Sequence, residues 1–159
     1  MPSQRVIAVV GPGDDATEDL CALAYEAGLL LAGGGFVVVN GGLGGVMEAA
    51  ARGAQEAGGI VIGLLPGDDR AAANAQTVAI PTGLGQARNA LVVSAADAVI
   101  AVGGSWGTLS EIALARRSGK PVVCLRGWHV IDDGGQRVTL DVADSPEEAV
   151  AHLARILTD

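Results

Sequence analysis

Aromatic side chains are scarce in this chain of 159 residues: one Phe, one Tyr and two Trp make up 3% of it. Its core must therefore come from Ala, Val, Leu and Ile, within a hydrophobic share of 50%. Small aliphatic residues of this kind suit helices packed closely on a parallel sheet. Cysteine is nearly absent too. Cys21 lies in a helical pattern and Cys124 in an apolar strand pattern, so both read as buried thiols rather than as a disulfide or redox pair.

Positive charge is the third deficit. Ten Lys and Arg against 18 Asp and Glu leave a formal charge of −8. The basic residues are scattered, whereas a nucleic-acid surface or an anionic membrane needs them clustered to displace counterions, so neither partner is expected. No apolar run approaches the ~20 residues of a membrane span. The opening Met1-Pro2-Ser3-Gln4-Arg5 is too short and polar to read as a signal peptide, and a cytoplasmic protein is expected. His129 and His152 have no partner at metal-ligand spacing, so no metal site is predicted. No Ser lies in a Gly-x-Ser-x-Gly elbow and neither Cys is followed by a base, which leaves nucleophilic catalysis without support.

What the chain does have is a regular alternation of apolar runs with Ala-rich amphipathic stretches, the pattern of repeated βα units. It predicts strands at Val6 to Val10, Phe36 to Val39, Ile60 to Leu65, Thr77 to Ile80, Ala98 to Val102 and Val122 to Leu125. Helices are expected at about Asp15 to Ala32, Gly45 to Ala57, Gly85 to Ala95, Thr108 to Ser118 and Pro146 to Leu157. Thr108-Leu109-Ser110-Glu111 fits a capping box, and Ser145-Pro146-Glu147-Glu148 puts proline at a first helical position. Between Gly127 and Asp144, with Asp132-Asp133-Gly134-Gly135 as a turn, a short hairpin or edge strand is expected. The length fits one domain spanning 1–159, able to bury about two-thirds of its unfolded surface. The fold class is α/β: a Rossmann-like, doubly wound domain with a mostly parallel sheet of six to seven strands and helices on both faces.

Glycine is abundant, at 24 residues, and its positions matter more than its number. Gly11-Pro12-Gly13, Gly41-Gly42-Leu43-Gly44-Gly45, Pro66-Gly67, Thr82-Gly83 and Gly103-Gly104-Ser105-Trp106-Gly107-Thr108 each follow a predicted strand. In an open parallel sheet, ligands bind outside the carboxyl ends of the strands. Glycine there admits close backbone approach, and the helix that follows offers unpaired N–H groups to a phosphate. Five such loops could share one cleft, or be tight turns that bind nothing. Gly11-x-Gly13-x-x-Ala16 matches a dinucleotide fingerprint. The carboxylates of Asp14, Asp15, Glu18 and Asp19 beside it would repel a pyrophosphate, however, and the second strand ends at Asn40 where an acidic residue would hold ribose. A nicotinamide dehydrogenase is disfavoured.

Three ordered motifs carry a resemblance: Gly41-Gly42-Leu43-Gly44-Gly45-Val46-Met47-Glu48-Ala49, Thr82-Gly83-Leu84-Gly85-Gln86-Ala87-Arg88-Asn89, and Gly103-Gly104-Ser105-Trp106-Gly107-Thr108-Leu109-Ser110-Glu111-Ile112. Over about residues 5 to 126 the sequence resembles bacterial proteins allied to molybdenum-cofactor carrier proteins. More distantly it resembles the Lonely-guy type phosphoribohydrolases, once mislabelled lysine decarboxylases. The resemblance implies a homo-oligomer, dimer or tetramer, that binds a nucleotide or molybdopterin-type cofactor at the strand ends, with no cofactor required. In the hydrolase branch an Arg and a Glu are functional, and they map onto Arg88 and Glu111. Gly103 stands where that branch has Pro, Ser105 replaces its second Gly, and Asn89 replaces Lys. Binding is therefore ranked above catalysis.

The expected site consists of Gly11, Gly13, Asn40, Gly41, Gly42, Gly44, Gly45, Arg88, Asn89, Gly103, Gly104, Ser105, Gly107, Thr108 and Glu111. The amides of Gly42 to Gly45 and of Ser105 to Thr108 are expected to hold phosphate and Arg88 to grip it, although Arg88 could instead pair with an acidic neighbour such as Asp97. Asn40, Asn89 and Glu111 would read the remainder of the ligand. The alternative function is hydrolysis of a nucleoside 5′-monophosphate to free base and ribose 5-phosphate, with Arg88 and Glu111 catalytic. Trp106 could stack on a ring system or cover the core, and Trp128 is expected under the last helix.

Overall fold

The structure, a computed structural model, describes residues 3–75 and 78–158. In chain order the elements are β1 (Val6–Val10), α1 (Glu18–Gly33), β2 (Val37–Asn40), α2 (Val46–Glu56), β3 (Val61–Leu65), β4 (Val78–Pro81), α3 (Arg88–Ala95), β5 (Ala98–Val102), α4 (Trp106–Arg117), β6 (Val122–Leu125), β7 (Asp141–Val142) and α5 (Pro146–Thr158). Single 3-10 turns occupy Arg70–Ala72 and Gly85–Ala87. Thr77, placed in the fourth strand by the sequence, lies outside the described residues.

All seven strands are parallel, in the order β4-β3-β2-β1-β5-β6-β7. The chain starts in the middle, builds outward through β2, β3 and β4, then returns to lay β5 on the other side of β1. Strand order thus reverses between β1 and β5, and the loops leaving these two strands diverge to opposite faces. Strands β1, β2, β5 and β6 are buried almost throughout, which accounts for their continuous Val, Ile and Ala content. One face carries α1, α2 and α5 over Ile7, Val9, Val38 and Ile100; the other carries α3 and α4 over Ala8, Val10, Val39 and Val99.

The shortage of aromatics has its counterpart where α1 meets α2. A Cβ added at Gly28 would come within 2.1 Å of the Ala50 carbonyl oxygen, and one at Gly53 within 1.9 Å of that of Tyr25. The two helix backbones touch, which only glycine permits. No helix among the described residues is long and apolar enough to cross a membrane.

Two sequence expectations are corrected. Helix α4 does not begin with a capping box at Thr108 and Glu111. It begins at Trp106, and Ser105 is the N-cap, its Oγ accepting from the Thr108 amide at 3.1 Å. Serine in the extended conformation accepts from an amide of the first turn, so the start moves one turn earlier and Glu111 is released from any capping duty. Trp128, expected under α5, lies instead on the backbone of Gly104 and meets Trp106 edge-on, with ring centroids 5.2 Å apart. Of the hairpin or edge strand expected in segment 127–144, the edge strand is present as β7, preceded by an isolated antiparallel bridge between Ile131 and Arg137.

Candidate functional site

The reversal point between β1 and β5 opens into a cleft of about 560 Å³. Four loops supply its walls. Gly11 and Gly13 come from the loop after β1, and Leu43 and Met47 from the loop after β2 and the start of α2. Gln86, Arg88 and Asn89 come from the entry to α3, and Ser105 through Thr108, Ser110 and Glu111 from the start of α4. The fifth loop, Pro66-Gly67, packs on the turn after β4 instead, where the Gly83 amide donates to the Gly67 carbonyl at 2.9 Å.

Arg88 is the central feature. It is only 5% exposed, and its guanidinium lies against the chain at Gly41, where a Cβ would approach Nη2 to 2.9 Å. Nη1 donates to Asn89 Oδ1, while Nε is buried without any partner among the described residues. The expected competitor is absent: Asp97 pairs with Arg5 at 3.1 Å and accepts from the Val6 amide at 2.8 Å. A buried guanidinium with an unused donor is costly in itself and suits an anion that would supply the acceptor. Burial lowers the pKa of Arg88 and nearby Glu111 raises it, but an arginine stays protonated either way.

Glu111, 7% exposed, makes no hydrogen bond or ion pair with any described residue. Desolvation pushes its carboxyl up to about 8, with Arg88 only partly opposing the shift. Near neutral pH it is therefore a protonated acid able to donate a hydrogen bond. Thr108 is buried, its Oγ1 is 2.9 Å from Ser105 Oγ, and Asn89 Nδ2 lies 3.5 Å from Ser110 Oγ. Ser105 satisfies the Thr108 amide, and the first-turn N–H groups of Trp106 and Gly107 have no partner among the described residues.

The remaining expected residues build the site without lining it. Asn40 is fully buried, donating Nδ2 to the Met47 carbonyl at 3.0 Å and accepting the Gly42 amide on Oδ1 at 2.8 Å. Its side chain is thus committed to folding the glycine loop, and the Gly42 amide is taken. Gly45 has a φ of +65°, and a Cβ there would fall 2.0 Å from the Gly13 carbonyl oxygen; this contact, with the Val46 amide donating to Pro12 at 3.0 Å, locks α2 onto the first loop. Gly103 donates to the Leu125 carbonyl, and neither it nor Gly41, Gly42, Gly44, Gly45 or Gly104 reaches the cleft wall. Gln86 and Ser110 were not singled out from sequence, and only their position within the second and third motifs could have pointed to them.

Fold and cleft together define a Rossmann-like α/β protein with a buried arginine in a cleft at the switch point. The chain belongs to the SLOG cluster4 family, whose profile matches residues 4–150. An uncharacterized protein of Archaeoglobus fulgidus is 44% identical over 144 residues, covering 91% of each chain. Among solved structures, the molybdenum cofactor binding protein of the phototrophic bacterium Rippkaea orientalis superposes with a TM-score of 0.87 at 38% identity, covering 99% of both chains. The molybdenum cofactor carrier protein of Chlamydomonas reinhardtii does so with a TM-score of 0.83 at 34% identity, over 99% of this chain and 100% of that one.

Proposed function

We propose that residues 1–159 form one phosphate-binding domain that holds and carries a phosphate-bearing heteroaromatic cofactor of the molybdopterin type, as a cytoplasmic homo-oligomer. The observation that carries this reading is Arg88: buried in the cleft at the switch point, with Nε unpartnered. Guanidinium to phosphate is the pairing that such a fork of donors favours. The amides of Trp106 and Gly107 would complete the phosphate site, with the protonated Glu111 and the amide of Asn89 available to acceptors on a ring. Similarity to two proteins described as binding or carrying the molybdenum cofactor supports the choice of ligand. Exposed Val78 and Ile80 on β4, Leu84 in the loop after it and Leu91 on α3 offer apolar surface to a second copy.

The test is to produce the protein in a host that makes the molybdenum cofactor, oxidise the purified chain, and measure released pterin fluorescence. The expected outcome is pterin from the natural chain and at least about tenfold less from Arg88→Ala, the equivalent of one charge-assisted hydrogen bond. No pterin from the natural chain, together with free base released from AMP above the Arg88→Ala control, would replace this reading with phosphoribohydrolysis.

A further inference from the structure

Outside the Arg88 cleft, exposed basic side chains gather at one place on a chain with 18 acidic and ten basic residues. Arg126, His129 and Arg137 all line one cavity of about 450 Å³ between β6, β7 and the 127–144 segment. None of their side chains makes a hydrogen bond or ion pair with a described residue. Asp144 lines the same cavity, and Arg126 also borders the face of α1 that bears Asp19 and Glu26, yet no ion pair closes. Arg126 is the one non-glycine residue with positive φ among those described, at 56°. An arginine held in the left-handed region immediately after a strand is strain that the surrounding fold enforces.

This cavity adjoins the Arg88 cleft. Trp106 lines the cleft and Trp128 lines the cavity, and the two rings meet edge-on at 5.2 Å. Trp128 is seated on Gly104, where a Cβ would come within 2.3 Å of the indole, so the loops after β5 and β6 interlock at this point. Trp106 is 79% exposed, too open to be a core residue, and offers its ring between the two basic centres.

We infer that the cavity bearing Arg126 and Arg137 is a second anion subsite for a phosphate or pyrophosphate group, reached from the Arg88 cleft across the Trp106–Trp128 pair. It takes the far anionic group of a ligand whose first phosphate sits at Arg88. That last step rests on the proposed function; the subsite itself does not.

Calorimetric titration of the full chain with inorganic pyrophosphate separates the two. In an Arg88→Ala background, which disables the first site, pyrophosphate is expected to bind. Adding Arg126→Asn and Arg137→Gln should weaken that binding at least about tenfold, the loss of one charge-assisted contact. Asparagine tolerates positive φ, so the fold survives the change. With Arg88 intact, the Arg126→Asn/Arg137→Gln pair should leave AMP affinity unchanged. Failure of the Arg88→Ala chain to bind pyrophosphate, or equal binding with and without Arg126 and Arg137, overturns the subsite while leaving the Arg88 reading untouched. Absence of AMP binding to the natural chain, with pyrophosphate still sensing the two arginines, refutes the first site and sustains the second.

Discussion

Replacing Glu111 by Gln should change how stability depends on pH. The carboxyl has an ordinary value of 4.5 and is pushed to about 8 by burial in the folded protein. Below the unfolded value both states are protonated and the group contributes nothing. Between the two values the native state holds a proton that the unfolded state has lost, so stability falls as pH rises, by at most about 1.4 kcal/mol per pH unit. Above pH 8 the penalty is complete, and a displacement of this size corresponds to on the order of 5 kcal/mol as an upper bound. Glutamine keeps the shape and cannot ionise. Urea unfolding followed by circular dichroism from pH 4 to 9 should therefore give curves that coincide at the acid end and separate in favour of Glu111→Gln as pH rises. Parallel curves across the range would refute the reasoning. Separation in the opposite sense would show that attraction from Arg88 outweighs desolvation.

Four further outcomes follow from particular contacts. Lys120 donates to the carbonyls of Val93, Ser94 and Ala96 at 2.6, 2.9 and 2.6 Å; Lys120→Met should cost about 1–3 kcal/mol in urea unfolding, because the end of α3 loses a charged cap. Gly53→Val should prevent accumulation of folded protein, with a loss above about 4 kcal/mol, since the Tyr25 carbonyl occupies the space its side chain needs. Ser105→Ala should cost about 1 kcal/mol of thermal stability as the N-cap of α4 is lost. The association rate of AMP, measured by stopped flow, should rise as salt is raised from low ionic strength, because the repulsive field of a −8 chain is screened while the contacts at Arg88 are short-ranged.

The sheet was legible because its strands are apolar runs bounded by glycine loops, and burial on both faces leaves that mark on the sequence. Strands β1, β5 and β6 fall on the expected residues, and β2 and β3 differ only at their ends. Strand β7 was harder to read, since Asp141 and Val142 are both exposed and are a strand only through their pairing with β6. The start of α4 was misplaced because Thr108-Leu109-Ser110-Glu111 imitates a capping box, while Ser105 stands three residues before Thr108 and offers the same chemistry. Residues Arg88, Asn89, Ser105, Thr108 and Glu111, drawn from the second and third motifs, line one cleft. Asn40 illustrates what a motif conceals, because a residue at a strand tip can serve a ligand or the loop itself, and only the contacts of its amide to Met47 and Gly42 distinguish them. Periodicity likewise reports which side of an element is buried but not which loops converge, so nothing in the sequence separated Pro66-Gly67 from the four loops that form the wall.

The state of Glu111 also bears on the choice between carrying and cleaving. Hydrolysis of an N-glycosidic bond builds positive charge on the sugar, and a nearby carboxylate would stabilise it or activate water. A carboxyl held protonated up to about pH 8 does neither at neutral pH, and a phosphate dianion bound at Arg88 would raise its pKa further by adding negative charge and drawing on the one cation that lowers it. The same protonated group can donate a hydrogen bond to a ring oxygen or nitrogen, which serves recognition and, at the nitrogen of a leaving base, would also be general-acid assistance. A phosphate bound at Arg88 would thus favour the donor form of Glu111, and any hydrolysis would reveal the residue's part by its pH profile: rising through about pH 8 if Glu111 acts as a base, falling through it if Glu111 acts as the acid that protonates the leaving base.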